Sequence, residues 1–182
     1  MKELALNILD IAKNSVKANA TLIEILIIEK ANLLILHIND NGCGMKAAFL
    51  SEVTNPFKTT RTTRKVGLGL PMLKMAAEQT GGCLKISSVS IEENSKNHGT
   101  KVTAEFYTDH IDFYPIGDVV STLTTLIHGS PNVDFYFKHS FKNHEVTLDT
   151  RELRSVLEDV PLDSYEVINW ISEYLREQYS NP

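Results

Sequence analysis

A carboxylate followed by two glycines ends the apolar segment at residues 33–39, in the run Asp40-Asn41-Gly42-Cys43-Gly44. The Asp40 carboxylate can accept a hydrogen bond from the exocyclic amine of an adenine. Gly42 and Gly44 have no β-carbon, so the main chain can pass close to a planar base. Asp-Asn-Gly is also a common turn sequence, and the loop taken alone predicts a turn.

Another set of polar residues lies upstream, where residues 4–18 have the periodicity of an amphipathic helix. Side chains three and four residues apart are neighbours on a helix surface. A carboxylate, an amide oxygen and an ammonium grouped in this way could seat a hydrated magnesium ion and phosphate oxygens. For this segment alone, a solvated helix face is the favoured interpretation. The residues on this arc are Asn7, Asp10, Asn14 and Lys17.

A basic stretch with glycines precedes a helix predicted over residues 71–79. Glycines ahead of a helix leave N–H groups and the positive end of the helix dipole open to phosphate oxygens. The segment lacks the Gly-Lys-Ser/Thr ending of a P-loop and the fuller glycine fingerprint of a dinucleotide fold, so neither of those sites is supported. The residues concerned are Lys58, Arg61, Arg64 and Lys65, followed by Gly67, Leu68, Gly69 and Leu70.

In their order along the chain, these blocks resemble the motifs of the histidine-kinase-like ATPase superfamily. This superfamily joins gyrase and mismatch-repair ATPases with the catalytic domains of histidine kinases and with anti-sigma serine kinases. Residues 9–15 resemble its N box, residues 40–44 its first glycine box and residues 67–70 its second. Asn55-Pro56-Phe57 resembles the motif before the ATP lid, and His98-Gly99-Thr100 resembles the last box.

The resemblance covers residues 1–107 and implies that the chain binds ATP and Mg²⁺. By this resemblance Asn14 ligates magnesium, Asp40 binds the adenine amine and Thr100 supports the adenine side. Asp10 stands where active members have a glutamate four residues before the asparagine, so it is the candidate general base, with a side chain one methylene shorter. The other candidates for nucleotide contact are Lys17, Gly42, Gly44, Lys58, Arg61, Arg64, Lys65, Gly67, Leu68, Gly69 and Leu70.

The apolar pattern predicts an α+β two-layer sandwich, a mixed sheet covered on one face by helices. The resemblance implies the same architecture, the Bergerat-type ATP-binding fold. We expect an ATP-binding domain over residues 1–108, and over residues 109–182 a small α/β part of unknown role, either a separate module or an extension of the first. Predicted helices cover residues 4–18, 46–52, 71–79, 117–127, 151–156 and 164–179, and predicted strands cover 21–29, 33–39, 83–91, 100–106, 133–139 and 145–148.

The composition is typical of a soluble intracellular protein, with 182 residues, 42% hydrophobic residues and a formal net charge of −5. No apolar run approaches the roughly 20 residues that span a bilayer, and the start has no signal-peptide pattern, so we expect a cytoplasmic protein without a membrane contact. The acidic balance disfavours nucleic-acid binding. Cys43 and Cys83 are too few for a zinc cluster or a disulfide framework.

Three functions are compatible with the sequence. The favoured one is a stand-alone kinase in signal transduction that transfers phosphate to a separate partner protein, because none of the six histidines lies in a convincing phosphoacceptor helix and no sensor domain is visible. The alternatives are an ATP-hydrolysing conformational switch and a non-catalytic nucleotide sensor that binds a partner. The sequence leaves open whether the protein forms a homodimer.

Overall fold

Six strands form one mixed sheet in the computed structural model, which describes residues 3–54 and 68–180. Their spatial order is β3-β4-β2-β1-β5-β6. Neighbouring strands are antiparallel, except that β1 and β5 are parallel. The strands are β1 (Leu22–Lys30), β2 (Leu33–Asp40), β3 (Cys83–Val89), β4 (Gly99–Tyr107), β5 (Asp134–Phe141) and β6 (His144–Asp149).

Four of the helices form a second layer in the order α3, α1, α4 and α6. The prediction of an α+β two-layer sandwich is therefore confirmed, and each element begins and ends within two residues of its predicted bounds. In the part of the chain that is described, no helix is both long and apolar enough to cross a membrane. The helices are α1 (Leu4–Lys17), α2 (Ala47–Leu50), α3 (Gly69–Gln79), α4 (Val119–Gly129), α5 (Thr150–Leu157) and α6 (Tyr165–Ser180).

Burial alternates along the central strands because helices cover only one face of the sheet. On β1, Ile23, Ile25 and Ile27 are fully buried, whereas the intervening Glu24 and Leu26 remain partly exposed. This alternation follows from the two-residue period of a strand, and β-branched isoleucine suits the pleated surface. The core therefore lies between the sheet and the helix layer, and α1 packs over β1 and β2 at its centre.

Residues 109–180 extend the same sheet rather than folding apart from it. Strand β5 pairs in parallel with β1, with Leu22 opposite Asp134 and Ile28 opposite Ser140. Helix α4 makes the crossover and packs on α1, where the Thr122 hydroxyl donates to the Ala5 carbonyl oxygen over 3.4 Å. The described structure thus has a C-terminal α/β extension, while a functional boundary near residue 108 stays a prediction.

The outer edge of β6 meets a side chain of α6. The Gln178 Oε1 atom accepts from the Thr147 N–H at 2.9 Å, and the Gln178 Nε2 donates to the Thr147 carbonyl oxygen at 3.1 Å. His144, at the start of β6, contacts the Gln178 carbonyl oxygen through Nε2 at 2.8 Å. Both backbone groups of Thr147 are therefore occupied by one carboxamide.

A hydrogen-bonded chain of three side chains, centred on the buried His139, connects β1, β5 and α6. His139 is 5% exposed, with Nε2 2.9 Å from Glu29 Oε1 and Nδ1 2.9 Å from the Tyr179 hydroxyl oxygen. Because a carboxylate only accepts, Nε2 carries the proton and Nδ1 accepts from Tyr179. Burial lowers the pKa of His139 although Glu29 acts in the opposite direction, and burial raises the pKa of Tyr179. At neutral pH the three groups form a hydrogen-bonded chain around a neutral imidazole.

We expect the free energy of unfolding to decrease as the pH falls below 6.5, the ordinary pKa of His139. Below this pH the unfolded chain takes up a proton at residue 139, whereas burial opposes that uptake in the folded protein. Proton uptake therefore stabilises the unfolded state, and the free energy of unfolding falls by at most about 1.4 kcal/mol per pH unit. Thermal unfolding of the wild type and of His139→Gln between about pH 7.5 and about pH 5 measures this contribution. The variant should show a shallower dependence, and identical slopes would contradict the prediction.

Candidate functional site

A cavity of about 460 Å³ opens between α1, the loop after β2, α2 and the beginning of α3. Part of its wall is apolar, formed by Ile11, Phe49 and Val102, which gives a flat base a surface to pack against. The polar part comes largely from the predicted motifs. Seven of the candidate residues lie in the lining: Asn14, Lys17, Asp40, Gly44, Gly69, Leu70 and Thr100.

The Asp40 carboxylate is held in place by three donors. Its Oδ2 accepts from the Ser15 hydroxyl at 2.6 Å, and its Oδ1 accepts from the N–H groups of Gly42 at 3.0 Å and Thr100 at 3.3 Å. Asp40 ends β2 and lies opposite Thr100 on β4, so the strand pairing fixes its position as well. A carboxylate has about four lone-pair directions. Asp40 therefore retains accepting capacity toward a donor in the cavity.

Ser15 and Ser88 complete this network, and neither was among the site residues predicted from the sequence, although Ser15 lies in the segment that resembles the N box. The Ser88 hydroxyl oxygen accepts from the Met45 N–H, and its proton goes to the Gly99 carbonyl oxygen, each over 2.8 Å. Because that proton is committed, the Thr100 hydroxyl, 2.9 Å away, must donate to Ser88. The Thr100 oxygen is then left as an acceptor on the cavity wall. For Ser15, the available signal was its position next to Asn14, on the side of α1 that faces the sheet.

The glycines of the loop are required by its backbone path. Gly44 has a φ of +66°, and a β-carbon at this residue would lie 1.9 Å from the Val89 carbonyl oxygen. A β-carbon at Gly42 would lie 2.8 Å from the Ala18 carbonyl oxygen. His98 Nδ1 lies 2.6 Å from the Gly42 carbonyl oxygen and, since a carbonyl only accepts, must donate to it. The loop is thus held close to the end of α1 and the start of β4.

Helix α3 begins against the polar stripe of α1. A β-carbon at Gly69 would lie 3.4 Å from the Asp10 Cβ and 3.8 Å from the Asn14 Nδ2, so the first residue of α3 adjoins both side chains. The N–H groups of Gly69 and Leu70 have no intrahelical acceptor in this first turn, which also contains no acidic residue. The helix dipole adds positive potential there. This end of the cavity therefore suits phosphate oxygens.

The same end of the cavity fits a magnesium ion bound together with phosphates. Among residues 3–54 and 68–180, no cluster of three or more His, Cys, Asp or Glu side chains could hold a metal by itself. Magnesium needs few protein ligands, because it keeps several waters and takes the remaining oxygens from phosphates. Asn14 lies in the cavity lining beside the start of α3, so its amide oxygen fits this role.

Several candidate residues lie beside the cavity or outside the described residues. Asp10 and Gly42 each adjoin a residue of the cavity lining: Asp10 lies beside Gly69, and the Gly42 N–H donates to Asp40. Leu68 is the exposed residue that precedes α3. The polar arc of α1 is not a solvated face as expected, because Asn7 is completely buried and Asp10 and Asn14 are partly covered. The residues outside the described ranges are Asn55, Pro56, Phe57, Lys58, Arg61, Arg64, Lys65 and Gly67.

The sheet, its helix layer and the cavity define a nucleotide-binding domain of the two-layer sandwich type. The profile of the family described as "Histidine kinase-, DNA gyrase B-, and HSP90-like ATPase" matches residues 2–110. The chain belongs to this family, and residues 2–110 form its ATP-binding domain. The extension that carries β5, β6 and α4 to α6 lies outside the matched region.

Individual similar proteins agree with this assignment. A protein of Shewanella frigidimarina (strain NCIMB 400) named "Putative sensor protein" is 35% identical over an alignment of 85 residues, which covers 44% of this chain and 13% of that protein. This chain therefore matches a small part of its relative's length.

Two solved structures share the fold at 15% identity. One is the N-terminal domain of a DNA repair protein, with a TM-score of 0.59, covering 82% of this chain and 53% of that one. The other is the Aquifex aeolicus MutL ATPase domain complexed with ADP, with a TM-score of 0.57, covering 87% and 70%. At this identity the likeness establishes the fold alone.

We expect ATP·Mg to protect the Cys43 thiol from alkylation. Cys43 is exposed and lines the cavity, whereas Cys83 on β3 is partly covered and lies outside the lining. At an ATP concentration about ten times the Kd, modification of Cys43 should slow about tenfold, because only the free protein reacts. Peptide mass spectrometry after N-ethylmaleimide treatment follows both thiols, with Cys83 as the internal control. Equal rates at Cys43 with and without ATP would contradict this use of the cavity.

Proposed function

We propose that this protein is an ATP·Mg-dependent regulatory kinase that transfers the terminal phosphate of ATP to a separate partner protein. The observation that carries the proposal is the position of the Asp10 carboxylate, next to Asn14 and the first residue of α3. A carboxylate is thereby available beside the expected phosphate positions. A general base must lie within hydrogen-bond reach of the proton that it accepts.

In the proposed complex, the chain holds the nucleotide at both ends. Asp40 accepts from the adenine amine, and Thr100 supports the base directly or through water. At the other end, the N–H groups of Gly69 and Leu70 donate to phosphate oxygens, with Lys17 on the cavity wall adding positive charge. Asn14 would supply an amide oxygen as a ligand to Mg²⁺, and the ion would neutralise phosphate charge.

Phosphoryl transfer depends mainly on positioning and electrostatic stabilisation. In the proposed step, Asp10 accepts the proton of the acceptor group as the acceptor atom bonds to the terminal phosphorus, and the bond to ADP breaks. None of the six histidines lies in the cavity lining, and the nearest to the glycine loop, His98, is engaged with Gly42. This supports an acceptor on another protein. The relative named as a sensor protein supports a role in signalling.

A second candidate function is a non-catalytic nucleotide sensor. Asp10 adjoins Gly69, which lines the cavity, but Asp10 does not line the cavity itself. Its side chain is one methylene shorter than the glutamate that the family has at this position. In that case ATP binding alone would alter the surface offered to a partner protein.

Incubation with γ-labelled ATP and Mg²⁺ tests the proposal, with co-purifying proteins present and Asp10→Asn as the control. Label on a partner with the wild type, and not with the variant, is the expected result. Release of free phosphate without a labelled partner would instead indicate an ATP-hydrolysing switch. Tight ATP binding with neither product would overturn the kinase proposal in favour of the sensor.

A further inference from the structure

One face of α6 exposes a pair of aromatic side chains, while another face of the helix packs on the core. Val167, Ile171 and Leu175 are buried, whereas Trp170 and Tyr174 are 48% and 37% exposed. The two aromatic rings stack on each other, with centroids 5.0 Å apart and an interplanar angle of 11°. This stack uses one face of each ring, and the exposed fractions leave ring surface accessible to another group.

Three carboxylates surround the aromatic pair. Glu166 lies one turn before Trp170, and Glu173 lies three residues after it. Glu177 lies three residues after Tyr174, and such spacings bring side chains together on a helix surface. All three glutamates are exposed, and within the described part of the chain none of them forms an ion pair. We call these glutamates and the two rings the acidic aromatic face.

The only basic residue of α6 does not offset this charge. Arg176 donates through Nε to the Ser172 hydroxyl oxygen at 3.3 Å, and Ser172 follows Trp170 by two residues, which places it on the other side of the helix. The charge of the acidic aromatic face repels anions, so it disfavours nucleic acid, an anionic membrane surface and a second copy of the same face. A cationic ligand is electrostatically complementary to it.

A guanidinium group matches both the rings and the carboxylates. It is planar and stacks on aromatic rings, and its N–H groups form a fork that fits a carboxylate. We propose that the acidic aromatic face is a docking surface for an arginine-containing segment of a partner protein. The helix layer has the order α3, α1, α4 and α6, so this surface lies at the opposite end from the start of α3 and the nucleotide cavity.

Titration of the whole protein with a short arginine-rich peptide tests the proposal. Trp170 is the only tryptophan of the chain, so tryptophan fluorescence reports on binding at this face. We expect the peptide to change this fluorescence with a Kd that increases with salt concentration. A peptide in which citrulline replaces arginine keeps the shape of the side chains without their charge, and it should not bind.

Variants separate the contribution of the ring from that of the charge. In calorimetric titrations, Trp170→Ala should weaken peptide binding about 5–20-fold and Glu173→Gln about 2–5-fold. Tyr165→Ala and Glu93→Gln are the matched controls, because they remove an exposed ring elsewhere on α6 and an exposed charge in the turn after β3. Both controls should bind the peptide as the wild type does.

Each alternative occupant has its own result. Equal binding of the arginine and citrulline peptides would overturn the inference in favour of an apolar segment, and self-association of the wild type that Trp170→Ala abolishes would overturn it in favour of a second copy. Absence of peptide binding, or binding that Trp170→Ala leaves unchanged, would show that this face is not the docking surface. None of these measurements uses ATP, so a failure here is distinguishable from a failure of the proposed kinase activity.

Discussion

Asp10→Asn is expected to lower phosphate turnover by about 10²–10⁴-fold, the usual contribution of a positioned general base. The substitution keeps the size of the side chain and removes its ability to take up a proton. Because Asp10 borders the cavity without lining it, ATP·Mg binding should be retained. Steady-state release or transfer of labelled phosphate, measured beside calorimetric ATP binding, separates the two effects.

Asn14→Ala provides the contrast. Loss of the proposed magnesium ligand should weaken ATP binding when Mg²⁺ is present and have little effect in its absence, and turnover should fall with binding. If Asp10→Asn leaves a measurable turnover unchanged, another group is the base. The kinase proposal would then need a different proton acceptor near Gly69.

Asp40→Asn is expected to weaken ATP binding roughly ten- to a hundred-fold, since a hydrogen bond to a charged group contributes about 1.5–3 kcal/mol. The hydrogen-bond network explains why folding should survive. The Oδ1 of the new asparagine would face the N–H groups of Gly42 and Thr100, and its Nδ2 would donate to the Ser15 hydroxyl oxygen. That orientation presents a donor where the adenine amine needs an acceptor.

Ser15→Ala separates positioning of the carboxylate from recognition of the base. It removes one of three donors to Asp40 and keeps the charge, so a smaller loss of affinity is expected than for Asp40→Asn. Calorimetry with ATP and circular dichroism of each variant provide the comparison. Unchanged ATP affinity in folded Asp40→Asn would remove Asp40 from the adenine site.

The elements were predictable because their periodicity comes from burial on one side. The alternation Ile23, Ile25, Ile27 predicts a strand covered on one face, and the predicted helix at residues 4–18 is α1 within one residue. The glycine loop could also be predicted, because glycine in the sequence signals a backbone path that excludes a β-carbon. At Gly44 such a β-carbon would collide with Val89. Local sequence carries these signals directly.

Contacts between distant segments could not be predicted in the same way. The serine that fixes Asp40 lies 25 residues before it, and Ser88 reaches Met45 from 43 residues away. Their meeting depends on strand order, which no local pattern encodes. For the same reason, the sequence left open whether β5 would join the first sheet, because its pairing with β1 needs a crossover through α4. Asn7 was predicted to be solvated but is buried, because the periodicity of α1 alone does not reveal which neighbouring elements pack on it.

The Gln178 carboxamide at the outer edge of β6 has a consequence for self-association. A terminal strand with free backbone groups is a template on which another chain can add a strand. At Thr147 that template is already filled from within the molecule, because Gln178 satisfies the N–H and the carbonyl oxygen together. Addition of a strand at Thr147 would first have to displace the Gln178 side chain, so α6 protects this point of the β6 edge against pairing with another chain.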